Sequence, residues 1–350
     1  MRAFKNTQNT LQEKTREGHK RPGRRWKILI GILLVLFILY WIICYFLVSL
    51  ALLPSFMEKT EVFETVTDVS IEALVQTDDI QNNRAASLEE TREWLKTVQA
   101  EKLTVTTEDN YQLIGVAFSP DLSDPSDTSH KWVLLLHGYT GWKEELYPIA
   151  CQYVKQGYYA MVPDMRCSGD SEGDFIGMGW TDRLDNMLWL SEILSRDPEA
   201  EIVIHGQSMG AACSLMMSGE DLPTQVKAIV SDCAYTDAYS MFAKQMKAWF
   251  NLPSFPILDS MNLMLQLRGG YDLKEASALN AVKKTSLPIL FIHGEEDDMV
   301  PVSMAYELYE AADGEKELLI IPGAGHAQAM DKDPTLYYET VFSFLADKIF

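Results

Sequence analysis

Two short stretches of this sequence carry the pattern G-x-S-x-G, which can present a serine hydroxyl as a nucleophile. They are GDSEG at residues 169–173 and GQSMG at residues 206–210. The chemistry requires the serine to sit in a sharp turn that leaves a β-strand and enters a helix. At average glycine and serine usage, roughly one chain in ten of this length contains the pattern by chance. The residues around each copy must therefore decide which serine is reactive.

The second copy has the flanking sequence that the turn requires. An apolar, β-branched run (AEIVIH) ends just before Gly206, and two alanines after Gly210 open a segment typical of a helix. The two glycines leave room where a side chain would crowd the strained turn. These features predict that Ser208 is the nucleophile and that Gly206 and Gly210 form its turn.

The first copy lacks this context. Ser171 follows the polar turn residues SGD and precedes EGD, so residues 169–173 are predicted to form a loop. Ser171 is therefore not expected to be the nucleophile.

A serine hydroxyl is a weak nucleophile and needs a histidine base that a carboxylate orients. When the nucleophile sits in a strand–turn–helix, the order along the chain is serine, acid, histidine. Four of the six histidines precede Ser208, and His293 precedes an acidic cluster instead of following it. His326 lies in a glycine-rich loop (PGAGHA) after the last apolar run, and we predict that it is the base.

The acid has two candidate positions. Asp232 ends the run VKAIVSD, and four adjacent carboxylates at residues 295–298 (EEDD) follow the run LPILFIHG. Both positions satisfy the required order, so the residues alone leave the choice open. The four carboxylates lack the spaced pattern of a calcium loop, and we expect no metal there.

Short apolar runs alternate with helical stretches along the chain. Two strands are predicted around a turn at residues 109–110. The later runs are KWVLLLHG, YYAMVPD, AEIVIHG, VKAIVSD, LPILFIHG and KELLIIPG, and helices are predicted at residues 180–195, 209–218, 301–312 and 334–350. This alternation predicts an α/β fold in which a mostly parallel sheet carries helices on both faces. Ligands of such sheets bind beyond the carboxyl ends of the strands.

The alternation breaks at about residues 234–287, a stretch rich in Met, Phe and Trp. Because this stretch lies between two sheet strands, we expect a small helical cap over the strand ends. Its apolar side chains fit acyl or aromatic esters, and equally well the cap's own core.

The motifs LLLHGYTG, PDMRCSGDSEG, HGQSMGA, FIHGEEDDMVP and PGAGHA follow one another at suitable separations. With them, residues 103–350 resemble the α/β-hydrolase superfamily, especially its membrane-anchored bacterial serine hydrolases related to monoglyceride lipases, cinnamoyl esterases and serine aminopeptidases. The resemblance implies the α/β-hydrolase fold with a small helical cap. It also selects Asp297, the fourth residue of the motif G-x-x-D-x-x-V-P, as the acid, with Asp232 as the alternative.

The oxyanion of the reaction is expected to bind two backbone N–H groups. They belong to Met209, the residue after the nucleophile, and to Tyr139, which follows His137 and Gly138 at a strand end. We expect His137 to shape this turn and not to act as a base. The expected reaction is ester hydrolysis through an acyl-enzyme, with no metal and no organic cofactor. Peptide hydrolysis, acyl transfer to another alcohol and a non-catalytic binding protein on this scaffold are the alternatives.

The N-terminal region predicts membrane attachment. Residues 28–53 hold no charge, and 26 residues of helix can cross a bilayer, whereas the apolar region of a cleaved signal peptide is about 7 to 15 residues long. Residues 1–27 hold nine basic and two acidic side chains. Basic flanks stay in the cytoplasm, so we expect a single-pass cell-membrane protein with a cytoplasmic N-terminal tail, which also meets anionic lipid, and an extracellular catalytic domain.

The rest of the chain is strongly acidic, because 48 of the 50 acidic side chains follow residue 27. This charge argues against nucleic acid as a partner. Residues 54–100 are expected to form a stalk that ends in a helix, for which Ser87 and Glu90 fit a capping box, and residues 101–350 the hydrolase domain. The five cysteines show no metal-like spacing, and the sequence leaves open whether two of them form a disulfide.

Overall fold

The computed structural model describes residues 24–53, 78–120 and 130–349. The chain divides into two compact units, residues 1–47 and residues 48–350. Most of the predicted basic tail and residues 54–77 of the predicted stalk lie outside the described residues.

The first helix, α1 (Arg24–Leu52), is long and apolar enough to cross a membrane. Within the described part of the chain it is the one helix that meets this criterion. Length and composition near an N-terminus equally fit a signal sequence. Residues 48–52 of this helix belong to the second unit.

The second helix, α2 (Asp78–Trp94), begins nine residues before Ser87, so the predicted capping box at Ser87 is wrong. Tertiary contacts hold the earlier residues in the helix. The Asn83 side chain donates to the backbone oxygen of Asp331 at 2.9 Å, and Arg84 forms an ion pair with the Asp331 carboxylate at 2.8 Å. A local sequence pattern cannot indicate these contacts, because Asp331 lies about 250 residues further along the chain.

Eight strands form one sheet in the order β1-β2-β4-β3-β5-β6-β7-β8. The strands β1 and β2 pair antiparallel, β2 pairs antiparallel with β4, and the remaining pairs are parallel. The predicted α/β class and its mostly parallel sheet are therefore confirmed. The strands are β1 (Gln99–Thr106), β2 (Gln112–Ser119), β3 (Lys131–Leu136), β4 (Tyr159–Pro163), β5 (Glu201–Gln207), β6 (Val226–Asp232), β7 (Ile289–Gly294) and β8 (Lys316–Ile321).

Helices cover both faces of the sheet, and each face has its own hydrophobic core. The helices α3 (Tyr147–Lys155) and α11 (Pro334–Leu345) pack on one face. The other face carries α4 (Asp182–Arg196), α5 (Met209–Met217) and α9 (Ser303–Ala311). The strands β3, β5, β6 and β7 are almost wholly buried between these layers, which explains why they appear in the sequence as continuous apolar runs.

The region between β6 and β7 is helical. It holds α6 (Ala238–Phe250), α7 (Ile257–Gly269) and the short α8 (Ala278–Val282). A further short helix, α10 (Ala329–Lys332), lies after β8. Leu258 and Leu265 of α7 are fully buried, and Val48 and Leu52 of α1 belong to the same hydrophobic core. All five cysteines are free thiols.

Candidate active site

Ser208 lies between β5 and α5 with backbone angles φ 56° and ψ −115°. This conformation costs a non-glycine residue of order 1–3 kcal/mol. Its flanking glycines are required by close backbone contact: a Cβ at Gly206 would lie 2.1 Å from the Gly210 carbonyl oxygen, and a Cβ at Gly210 would lie 2.0 Å from that of Leu136. The turn therefore presents the Ser208 hydroxyl at the carboxyl end of the sheet.

The Ser208 hydroxyl contacts a histidine from the loop after β8. Ser208 Oγ lies 2.8 Å from His326 Nε2, and His326 Nδ1 lies 2.7 Å from Asp297 Oδ2. Asp297 follows β7, and its side chain is fully buried, whereas that of His326 is 11% exposed. The fold thus brings together the predicted nucleophile, base and acid in a single chain of hydrogen bonds.

The surroundings of Asp297 fix its charge and its orientation. Its Oδ1 accepts hydrogen bonds from the backbone N–H groups of Met299, at 3.0 Å, and Val300, at 2.7 Å. Burial alone would raise the pKa of Asp297, but hydrogen bonds from His293 and His326 outweigh burial and lower it to about 2. An ionised carboxylate only accepts hydrogen bonds, so His326 Nδ1 carries the proton and Nε2 is left to accept one from Ser208.

The alternative acid, Asp232, has different neighbours. Its Oδ2 accepts from Tyr337 at 3.1 Å and from Gln207 at 3.4 Å, and its Oδ1 has no hydrogen-bond partner among the described residues. Burial raises the pKa of Asp232 to about 6, although the bonds from Gln207 and Tyr337 oppose the shift. The carboxylate in contact with His326 is Asp297.

The turn after β3 lies against the nucleophile. A Cβ at Gly138 would be 3.4 Å from Ser208 Cβ and 3.9 Å from its Oγ. His137, which is fully buried, shapes this turn, because its Nδ1 lies 2.8 Å from the Gly138 carbonyl and its Nε2 accepts from the Met165 N–H at 2.9 Å. Burial lowers the pKa of His137, which agrees with a neutral, structural imidazole.

The two backbone N–H groups predicted to bind the oxyanion belong to residues that adjoin Ser208 and Gly138. Met209 is the first residue of α5, and the first N–H groups of a helix have no partner within the helix. Tyr139 follows Gly138 in the turn beside Ser208. The two residues predicted to form the oxyanion site are thus next in sequence to Ser208 and to Gly138, the glycine that lies against Ser208.

Ser171 has a structural role in the loop after β4. Its hydroxyl donates to the Asp164 carbonyl at 2.7 Å and accepts from the Ile114 N–H at 2.8 Å. These bonds tie the loop to β2, and within the described residues the Ser171 hydroxyl is hydrogen-bonded to no histidine.

Cys233, Asp297 and His326 place possible metal-binding atoms within 4.8 Å of one another. Burial raises the pKa of Cys233 well above its ordinary value, so its thiol is protonated in the metal-free site. Asp297 and His326 are already bonded to each other. These three residues therefore fit a hydrogen-bonded site better than a metal site.

Two contacts around the site were not predicted from the sequence. His293 lies 3.3 Å from the Asp297 carboxylate and its Nε2 is 2.7 Å from the Val300 carbonyl. Its position four residues before the acid was the available signal. The other contact joins the Tyr139 hydroxyl to the Ala51 carbonyl, 88 residues away, and no sequence pattern indicates it.

A partly buried serine in a strained strand–turn–helix, hydrogen-bonded to a histidine on a mostly parallel sheet, defines a serine hydrolase of the α/β-hydrolase superfamily. An esterase of Pyrococcus furiosus shares the fold, with a TM-score of 0.58 and 23% identity over 73% of this chain and 93% of its own. Together with the family match at residues 147–349 and the sequence relatives described next, this likeness confirms the expected resemblance to the superfamily.

Sequence relatives agree with this class. An uncharacterized protein of Bacillus subtilis, YqkD, is 31% identical over 222 residues, which are 63% of this chain and 72% of the relative. A thermostable monoacylglycerol lipase of Bacillus sp. H-257 is 23% identical over 246 residues, 61% of this chain and 90% of the lipase. The prolyl oligopeptidase family model matches residues 147–349, and the chain belongs to that family.

Proposed function

We propose that this protein is a membrane-anchored, extracytoplasmic hydrolase of carboxylic esters that uses Ser208 as nucleophile, His326 as base and Asp297 as acid. The observation that carries the proposal is the hydrogen-bond chain from Ser208 Oγ to His326 Nε2, at 2.8 Å, and from His326 Nδ1 to Asp297, at 2.7 Å. An ionised Asp297 stabilises the imidazolium that forms when the serine proton is transferred.

The reaction follows from these parts. Ser208 Oγ attacks the ester carbonyl while His326 Nε2 takes its proton, and the N–H groups of Tyr139 and Met209 stabilise the oxyanion. The tetrahedral intermediate collapses, and the leaving alcohol takes the proton from Nε2. Water then attacks the acyl-enzyme with His326 again as base, which releases the acid and restores Ser208.

The backbone at Ser208 argues against a non-catalytic role. A binding protein would gain nothing from a serine held at φ 56°, a conformation that persists where the surroundings enforce it for function. The esterase and lipase among the relatives favour ester substrates. Hydrolysis of small peptides is the second candidate, and the match to the prolyl oligopeptidase family favours it.

Anchoring is proposed from α1 and its charged flank. The helix is long enough to span a bilayer, and nine basic side chains in residues 1–27 favour a cytoplasmic N-terminus. Protease treatment of intact cells tests this topology. We expect a protease added outside the cells to degrade the catalytic domain. A domain that resists protease until the cells are lysed would contradict it.

The substrate class is tested on the full chain in detergent micelles. We expect hydrolysis of p-nitrophenyl acetate and butyrate and, at equal enzyme concentration, kcat/KM at least 100-fold lower for aminoacyl p-nitroanilides. The Ser208→Ala variant is the control for uncatalysed and contaminating hydrolysis. Faster release of p-nitroaniline than of p-nitrophenol would make the peptidase candidate the correct one.

A further inference from the structure

The last turn of α1 is built into the catalytic unit. Val48, Ser49 and Leu52 are 2%, 2% and 3% exposed. Val48 and Leu52 pack in the hydrophobic core that also contains Leu258 and Leu265 of α7. Burial of this degree is typical of a domain core and not of a linker.

The polar groups at this helix end are bound by the hydrolase domain. The last four carbonyls of a helix have no partner within it. The Leu52 carbonyl accepts from the Ile176 N–H at 2.9 Å, and the Ala51 carbonyl accepts from the Tyr139 hydroxyl. Arg268 of α7 also donates to Ser49 Oγ at 2.9 Å. Three separate parts of the domain therefore hold residues 48–52.

Tyr139 connects this helix end to the reacting serine. The Tyr139 backbone belongs to a turn in which the Gly141 N–H donates to the Gly138 carbonyl at 3.2 Å. This turn lies against the serine, because a Cβ at Gly138 would be 3.4 Å from Ser208 Cβ. Burial raises the pKa of the Tyr139 phenol, so it stays protonated and can donate. Its hydrogen bond spans from the proposed oxyanion turn to Ala51.

We propose that the Tyr139 side chain is a positioning residue. By donating to the Ala51 carbonyl it holds the turn, and with it the Tyr139 N–H, against Ser208. Residues 48–52 of α1 then help to position the oxyanion turn and also form the end of the proposed membrane anchor. This inference rests on the proposed oxyanion role of the Tyr139 backbone.

The test compares two Tyr→Phe variants of the full chain in the same detergent. Tyr139→Phe removes the bond to Ala51 and keeps the ring and the backbone. Tyr235→Phe is the matched control, because the buried Tyr235 hydroxyl also donates to a backbone carbonyl, that of Met178, at 2.8 Å. Titration with a fluorophosphonate gives the concentration of reactive serine, so that misfolded protein does not enter kcat.

We expect Tyr139→Phe to lower kcat for p-nitrophenyl butyrate about fivefold to tenfold, the effect of about one hydrogen bond, with KM changed less than twofold. Affinity for a trifluoromethyl ketone, which forms a tetrahedral adduct, should fall by the same factor. Tyr235→Phe should leave both values within twofold of wild type. A Tyr139→Phe enzyme with unchanged kcat and ketone affinity would overturn the inference.

A second variant tests whether Tyr139 acts through the helix end. Leu52→Ala loosens residues 48–52, so Tyr139→Phe should cost less in that background, and the combined loss in kcat should be smaller than the product of the single losses. Fully multiplicative losses would overturn the coupling. If the wild-type protein itself does not react with the fluorophosphonate, the proposed function fails. If the wild type reacts but Tyr139→Phe leaves kcat and ketone affinity unchanged, the positioning role alone fails.

Discussion

Replacing Asp297 by asparagine should reduce kcat by about 10⁴-fold while the protein stays folded. The structure fixes how the new side chain would sit. The N–H groups of Met299 and Val300 both donate to Oδ1, so the asparagine oxygen must take that position. Its NH₂ group then faces His326 Nδ1, 2.7 Å from the former Oδ2.

The magnitude follows from the tautomer of His326. An NH₂ group donates, so Nδ1 must become the acceptor and the ring proton moves to Nε2. A protonated Nε2 cannot take the Ser208 proton across the 2.8 Å contact. The variant also loses the negative charge that stabilises the imidazolium, because the pKa of Asp297, about 2, keeps the wild-type carboxylate ionised at any working pH.

The assay is p-nitrophenyl butyrate hydrolysis by the full chain at pH 8, with thermal unfolding measured in the same detergent. Asp232→Asn is the matched control, because this second buried carboxylate satisfies the same order along the chain but bonds Tyr337 and Gln207 instead of His326. We expect its kcat within tenfold of wild type. An Asp297→Asn enzyme that keeps a tenth of the activity, or an Asp232→Asn enzyme that loses as much as Asp297→Asn, would refute the assignment.

Three further predictions concern the scaffold of the site. Ser171→Ala should still react fully with a fluorophosphonate but unfold about 1–2 kcal/mol more easily, because the Ile114 N–H loses its acceptor; loss of labelling would contradict this. Asp232→Asn should raise the free energy of unfolding at pH 8 by up to about 3 kcal/mol, because the raised pKa, about 6, makes ionisation costly in the folded state. That cost exists above pH 6 and disappears as the pH falls towards 4, so an equal gain at pH 4 would contradict the cause. Gly210→Ala should yield no folded enzyme, since its Cβ would lie 2.0 Å from the Leu136 carbonyl oxygen; a soluble, active variant would refute that close approach.

The strand–turn–helix around Ser208 and the sheet could be predicted because their causes are local. The strand–turn–helix around Ser208 needs glycines at two fixed positions, and the buried parallel strands need continuous apolar runs. The acid could not be chosen from the residues alone. Asp232 ends β6 and Asp297 follows the neighbouring strand β7, and only tertiary geometry decides which carboxylate reaches His326.

Contacts between distant segments account for what the sequence did not indicate. The early start of α2 depends on Asp331, and the bond from Tyr139 to Ala51 joins the proposed oxyanion turn to an apolar helix. Neither a helical wheel nor a sequence motif indicates these long-range contacts. Residues 48–52 were therefore predicted as the end of a membrane span, whereas in the structure they are also part of the hydrolase core.

The most direct test of the central claim is to label the full-length protein with a fluorophosphonate and map the modified residue by mass spectrometry. We predict one adduct, on Ser208, which disappears in Ser208→Ala, persists in Ser171→Ala and is strongly slowed in His326→Ala. An adduct on Ser171, or a folded wild-type protein that takes up no label, would contradict the account.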